Sequence, residues 1–81
     1  MKVQLKVFAI ARQAAGSDTV ELSLSDKPTI SELREALLDK FAELQPLSRH
    51  LRFAVNSEYA DDTATIEVTD ELACIPPVSG G

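Results

Sequence analysis

Cysteine is nearly absent from this chain, and that scarcity excludes several classes at once. Cys74 is the single thiol in 81 residues, so no intrachain disulfide staples the fold and no Cys-rich zinc site forms. Histidine is equally scarce. His50 stands alone, in the stretch before a predicted strand, with no second metal ligand evident and no nucleophile–base constellation around it. Positive charge is short, with eight Lys and Arg against thirteen Asp and Glu and a net charge of −5. The basic footprint of a nucleic-acid binder is missing, as is the polybasic segment that would hold an anionic membrane surface. No apolar run approaches the roughly 18 residues of a transmembrane helix. Met1 to Lys6 alternates polar and apolar side chains, whereas a secretory signal needs a continuous apolar block. Nucleic acid and membrane are therefore not expected partners, and the cytoplasm is the expected compartment.

What is present is the composition of one small globular domain, 44% hydrophobic and 26% charged. An acidic chain of this kind suits a partner with a basic groove. Hydrophobic periodicity predicts the elements. Lys2 to Ile10 reads as a first strand, with Val3, Leu5 and Val7 on one face and Lys2, Gln4 and Lys6 on the other. By strict parity Phe8 and Ile10 fall with the lysines; a register change after Val7 would turn Phe8 inward instead. Ala11 to Asp18 follows as a loop or short helical turn, closed by Gly16. Thr19 to Leu24 is a second strand, pairing with the first as a hairpin.

A helix is expected after the turn Ser25-Asp26-Lys27-Pro28. Thr29 is placed as its N-cap, and Glu32 three positions on completes a capping box. Ile30, Leu33, Leu37, Phe41 and Leu44 recur every three or four residues, with Ala36 on the same stripe. Pro46 ends the helix or follows its end. Leu51 to Val55 is a third strand with Phe53 inward and Arg52 and Ala54 outward. Asn56-Ser57-Glu58 is a turn and Tyr59-Ala60 a very short strand. Thr65 to Thr69 is a short helical turn or an irregular crossover. Glu71 to Ile75 is the last strand, with Leu72 and Cys74 on one face and Ala73 and Ile75 on the other. This order closes one core if the helix packs across a mixed sheet of four or five strands with the first and last strands side by side. That is an α+β, ubiquitin-like β-grasp, with residues 1–75 as the domain and 76–81 as an extended tail.

The tail is Pro76-Pro77-Val78-Ser79-Gly80-Gly81. Two prolines stop the strand because they lack the N–H of a sheet ladder, and they favour an extended exit. Gly80 and Gly81 have no side chains, so the segment can thread a narrow channel and reach roughly 20 Å. A frayed terminus or a cloning scar is the plain alternative.

Three stretches carry a family likeness. They are Val7-Phe8-Ala9 with Arg12 and Gly16; Leu51-Arg52-Phe53-Ala54-Val55-Asn56; and Asp70-Glu71-Leu72-Ala73-Cys74-Ile75 running into the tail. Together they resemble the small, sulfur-carrying subunit of molybdopterin synthase, across essentially the whole chain, with Pro-Pro-Val-Ser-Gly-Gly the most specific part. The chain departs from the pattern at Val68-Thr69-Asp70, where the family often has Asp-Gly-Asp. The resemblance implies that an ATP-using adenylyltransferase, related to those that activate ubiquitin, adenylates the Gly81 carboxylate. A sulfur donor such as a cysteine desulfurase then converts the acyl-adenylate to a thiocarboxylate. That sulfur passes to cyclic pyranopterin monophosphate in the active site of the large synthase subunit, within a heterotetramer. No cofactor is bound tightly; AMP and then sulfur are carried covalently at Gly81. The chain is not catalytic alone. A thiocarboxylate sulfur is a strong nucleophile, as thiolates are, and needs no neighbouring base on this chain.

Phe8, Tyr59 and Ile75, with Ala54 and Ala73, are expected to form an exposed apolar patch for the partner beside the tail. Cys74 is expected as a small core residue, not a persulfide carrier. The acidic pairs Asp61-Asp62 and Asp70-Glu71 read as turns, with no metal site. Arg12 contacts the activating enzyme or a nearby carboxylate. Other functions share the features: a sulfur carrier for thiamine thiazole synthesis, a ubiquitin-like modifier ligated to lysines, or a binding module with an inert tail.

Overall fold

The structure, a computed structural model, describes residues 1–77. The chain runs β1 (Lys2–Val7), α1 (Ala9–Ala15), β2 (Thr19–Ser23), α2 (Ile30–Lys40), a 3₁₀ segment (Ala42–His50), β3 (Arg52–Val55), β4 (Glu58–Ala60) and β5 (Leu72–Ile75). The five strands form one mixed sheet in the order β2-β1-β5-β3-β4. The first and last strands are neighbours and run parallel, with Leu5 opposite Leu72 and Val7 opposite Cys74. The strict alternation of β1 and β2 puts Val3, Leu5, Val7, Val20 and Leu22 into the core. The core packs them against Ile30, Leu33 and Leu37 of α2, with Phe53, Leu72 and Cys74 from the other strands. This is the β-grasp arrangement of a mixed sheet closed by one main helix.

The sequence reading extends β1 too far. The strand ends at Val7, and Ala9 takes a φ of 51°, a left-handed turn costly for a residue with a Cβ. The chain then coils into α1, with Ala11 in the core and Ile10 exposed on the helix. Seven residues containing four alanines favour helix locally, and Gly16, at φ 70°, closes it by donating its N–H to the Arg12 carbonyl.

Thr29 caps α2 as expected, its hydroxyl accepting the Glu32 N–H at 3.3 Å. The reciprocal half of the capping box is not made. Glu32 instead accepts the Ser25 N–H at 2.6 Å and the Ser25 hydroxyl at 2.7 Å, and these bonds hold its carboxyl below the usual range. The backbone of Thr29 pairs with Thr65 in an isolated antiparallel bridge. The next orphan donors of the helix, Ile30 and Ser31 N–H, reach the carbonyls of Ala64 and Asp62. The crossover from β4 to β5 therefore caps α2 with main chain. It is irregular, with turns at Asp62-Thr63 and Val68-Thr69 and no helical turn between them, and it buries Ile66.

α2 ends at Lys40, one turn earlier than the apolar stripe suggests. Phe41, at φ −126° and ψ 82°, breaks the helix, and the chain continues as the 3₁₀ segment with Pro46 inside it. Leu44 stays buried, because a 3₁₀ turn of three residues keeps roughly the same face inward.

Arg34 fastens these pieces together. The outer-face pattern of the helix places it in solvent, yet its side chain is only 18% exposed. Its guanidinium donates to the carbonyls of Ser48 and Leu51 and to Asp62 at 2.8 Å, and lies 5.0 Å from the centroid of the Phe53 ring. One cation thus joins α2, the end of the 3₁₀ segment and the crossover. Arg34→Met keeps the apolar stem but leaves two carbonyls and a carboxylate without their donor. We expect it to lower unfolding free energy by about 1–3 kcal/mol, read as a lower urea midpoint at unchanged m-value.

Candidate functional site

The sheet has one face on the core and one turned outward, and the outward face carries the candidate site. β5 alternates Leu72 and Cys74 inward with Ala73 and Ile75 outward. β3 pairs with it so that Arg52 lies opposite Ile75 and Ala54 opposite Ala73, and Tyr59 of β4 lies opposite Ala54. Phe8, the first residue past β1, stays extended and points the same way, 48% exposed. The register change that would bury it does not occur. Phe8, Tyr59 and Ile75, from three separate stretches, line one groove of about 350 Å³ with Ala54 and Ala73.

Ala54 is outward by parity, as expected, but only 7% exposed. A small side chain opposite Ala73 and Tyr59 becomes a floor covered by its neighbours. Tyr59 stands above it, 59% exposed, with the Arg52 guanidinium 4.2 Å from its ring centroid. Such stacking holds an exposed aromatic in one orientation for about 0.5–1 kcal/mol. Lys6 and Glu71 also line the groove, their charged groups 3.9 Å apart and exposed.

A hydrogen-bonded clamp secures the groove at the β3–β4 turn. Asn56 and Ser57 both have positive φ, 52° and 72°, the signature of a two-residue type I′ hairpin. The Asn56 side chain donates to Asp70 at 2.9 Å and accepts the Glu71 N–H at 2.9 Å, while its own N–H reaches the Glu71 carbonyl at 2.8 Å. Asp70 also accepts the Glu67 N–H at 2.8 Å. Those bonds, the Glu67 contact foremost, hold the Asp70 carboxyl below its ordinary value. Asp70 thus keeps the turn before β5 although Val68 and Thr69 depart from Asp-Gly.

The remaining candidates find plain roles. Arg12 pairs with Asp18 at 2.7 Å, the nearby carboxylate of the two expected alternatives. His50 is exposed at the end of the 3₁₀ segment. Asp62 is held by Arg34. Pro76 is buried and Pro77 exposed, so the chain leaves the packed domain between the two prolines, at the open end of β5. Val78, Ser79, Gly80 and Gly81, the rest of the expected delivery arm, lie outside the described residues. Sequence reasoning missed the Asn56 clamp and the Arg52–Tyr59 stack. Asn before a non-Gly turn residue was the available signal for the first.

Cys74 is fully buried opposite Val7 and Phe53, and burial pushes its thiol up to about 12. The thiol is a core hydrophobe. It should resist Ellman's reagent in the native protein at about pH 8 and react fully in denaturant. The unfolded chain releases this proton near the ordinary thiol value of about 8.5 while the folded chain keeps it. Stability from this group is therefore complete below that value and falls as pH rises above it. Reaction of the native thiol at the denatured rate contradicts this assignment.

Comparison with known proteins follows the same lines. The ThiS family model matches residues 5–81. The molybdopterin synthase sulfur carrier subunit of Arabidopsis thaliana is 33% identical over 81 residues, spanning 100% of this chain and 84% of the plant protein. Among solved structures, SAMP1 from Haloferax volcanii superposes with a TM-score of 0.82 at 31% identity and covers 100% of both chains. A chain in the complex of subunits 1 and 2 of the Helicobacter pylori molybdopterin-converting factor shares the fold, with a TM-score of 0.66 at 22% identity over 100% of both chains. With its β-grasp sheet and its sequence matched along the whole length, the chain belongs to the ThiS family, among the molybdopterin synthase sulfur carrier subunits.

Proposed function

We propose that this chain carries sulfur on the carboxylate of Gly81 and delivers it to the large subunit of a molybdopterin synthase. The observation that carries the reading is the full-length match to sulfur carrier subunits, on a fold whose last central strand leads into Pro76-Pro77 beside an apolar groove. In the reaction, the carboxylate attacks the α-phosphorus of ATP on an activating adenylyltransferase and releases pyrophosphate. The outer sulfur of a donor persulfide, such as that of a cysteine desulfurase, attacks the acyl-adenylate and expels AMP to give an acyl disulfide. A thiol reductant then cleaves the S–S bond and frees the thiocarboxylate. The thiocarboxylate then donates its sulfur to cyclic pyranopterin monophosphate, and hydrolysis returns the carboxylate for another round. Each step places its acids, bases and cations on a partner. This chain contributes the acyl group, its reach and its docking face, in a heterotetramer with the large subunit.

Docking falls to the groove of Phe8, Tyr59 and Ile75. Aromatic side chains that are half-exposed and fixed by their surroundings are the usual anchors of an interface. Phe8→Asp should weaken binding to the large subunit at least about tenfold, measured by titration calorimetry, with no change in thermal midpoint because Phe8 is not in the core. Equal binding by this variant would remove the groove from the interface.

Gly80 and Gly81 bear the chemistry. Intact mass measurement of the protein incubated with activating enzyme, ATP and sulfur donor should show one oxygen replaced by sulfur at the C-terminus. Gly81→Ala, or one residue added after Gly81, should abolish sulfur transfer and leave the unfolding curve unchanged. A tail that stays a free carboxylate under these conditions sinks the proposal. A second reading, ligation of the chain to target lysines, is favoured by the 31% identity to SAMP1, a protein also described as a small archaeal modifier protein. It shares the adenylate and diverges after it, and the same mass measurement on cell extracts separates the two by lysine-linked conjugates.

A further inference from the structure

The sheet has two edges, and they are not treated alike. At the β2 edge, the Lys40 ammonium of α2 reaches down and donates to the Glu21 carbonyl at 3.1 Å, a charged guard of the kind that discourages strand pairing. The other edge is β4, beyond which no strand lies among the described residues. Its register turns one residue's main chain fully outward. Val55 and Glu58 flank the two-residue turn and so exchange the hydrogen bonds of the hairpin. The next pair, Ala54 and Tyr59, is then the non-hydrogen-bonded pair, with the Tyr59 N–H and C=O pointing away from β3.

Arginine is concentrated at this edge. Three of the four arginines, Arg34, Arg49 and Arg52, line a groove of about 370 Å³ that shares Tyr59 with the apolar groove. Asp61 and Asp62 line it too, and with Glu58 of β4 beside Tyr59 the three arginines stand among three carboxylates, a locally neutral edge on a chain of −5. Arg34 is committed to Asp62. Arg49 and Arg52 are exposed and form no salt bridge among the described residues, and Arg52 is already held in place over the Tyr59 ring.

We propose that β4 accepts an added strand from an extended acidic segment of a partner protein, with Tyr59 supplying the main-chain hydrogen bonds and Arg49 and Arg52 taking its carboxylates. Strand addition draws affinity from the main chain and specificity from alternate side chains. Here the side chains of the added strand on the outward face meet Arg52. An orientated guanidinium pays less conformational entropy on pairing with a carboxylate than a free one.

The test uses the isotope-labelled full chain and two blocked nonapeptides, one alternating Val with Glu and the other Val with Lys. The Glu peptide should shift the amide resonances of β4, slow solvent exchange of the Tyr59 amide at least about tenfold, and lose about tenfold in affinity against the double variant Arg49→Glu/Arg52→Glu. Both arginines are exposed, so the variant should keep the wild-type spectrum elsewhere. Equal binding of the Lys peptide, or no binding of either, overturns the proposal. So does a shift at the arginines that sodium acetate reproduces while the Tyr59 amide exchanges as before, which would reveal a contact for carboxylate alone.

Discussion

The parallel pairing of β1 with β5 is the constraint on which the rest of the structure depends. Parallel neighbours cannot be joined by a hairpin; the chain must cross over and return. Everything from Phe8 to Glu71 is that return. β2 completes the outer hairpin, α2 covers the inner face, and β3 with β4 supplies the second neighbour of β5. With β1 on one side and β3 on the other, all four residues of β5 are held in register, and Leu72 and Cys74 are anchored in the core. The point at which the chain leaves the domain, between buried Pro76 and exposed Pro77, is therefore set by the centre of the sheet and not by an edge or a loop. Under the proposed function, in which the sulfur rides on the terminal carboxylate, such a fixed exit gives the tail a fixed origin for its reach.

Much of this was legible in the residues. Strict alternation in β1 and β2, the capping Thr29 and the stripe from Ile30 to Leu37 specified the hairpin and the helix, since burial of one face leaves little freedom in register. Parity put Ile75 outward, and Phe8 too unless the register changed after Val7, while Tyr59 lay in a short strand able to reach the same face. Their convergence needed the strand order as well, which the succession of elements supplied by setting the first and last strands side by side under one helix. The tail residues Val78 to Gly81 stood out in sequence as composition, and their role remains the proposal made above.

The features that were not legible share a physical cause, which is that periodicity reports faces and not partners. Arg34 occupies an outer position of α2, so its pattern is that of a solvated residue; only the return of the 3₁₀ segment and the crossover brings carbonyls to it. Ile66 sits in a polar stretch with no period to reveal it, and is buried because the crossover must lie along the start of α2 to cap it. The end of β1 at Val7 was hidden because Phe8 and Ile10 are good strand residues, whereas the turn is made by an alanine at positive φ. Local propensity there is overridden by the packing of Ala11. The 3₁₀ segment preserved the apolar stripe of the helix it replaced, so sequence period could not distinguish them.

The groove beside the exit has a chemistry that suits repeated use. The ion pair that lines it, Lys6 with Glu71, is exposed, and such pairs contribute about 0–1 kcal/mol. The larger contribution available is burial of Phe8 and Tyr59, whose full side chains are each worth about 1.5–3 kcal/mol when removed from water. Both are already half-covered or stacked in the free chain, so only part of that is gained on docking, and little side-chain entropy is lost. Under the proposed docking, a face of this size and composition suits moderate binding and release. Under the sulfur-carrier reading, the same tail must be charged on one partner and discharged on another, and a groove that bound either of them too tightly would halt the exchange. The low aromatic content of the chain, 5%, is thus spent where it limits affinity as much as it creates it: two of its four aromatic residues stand on this groove, and the core is left largely to aliphatic side chains.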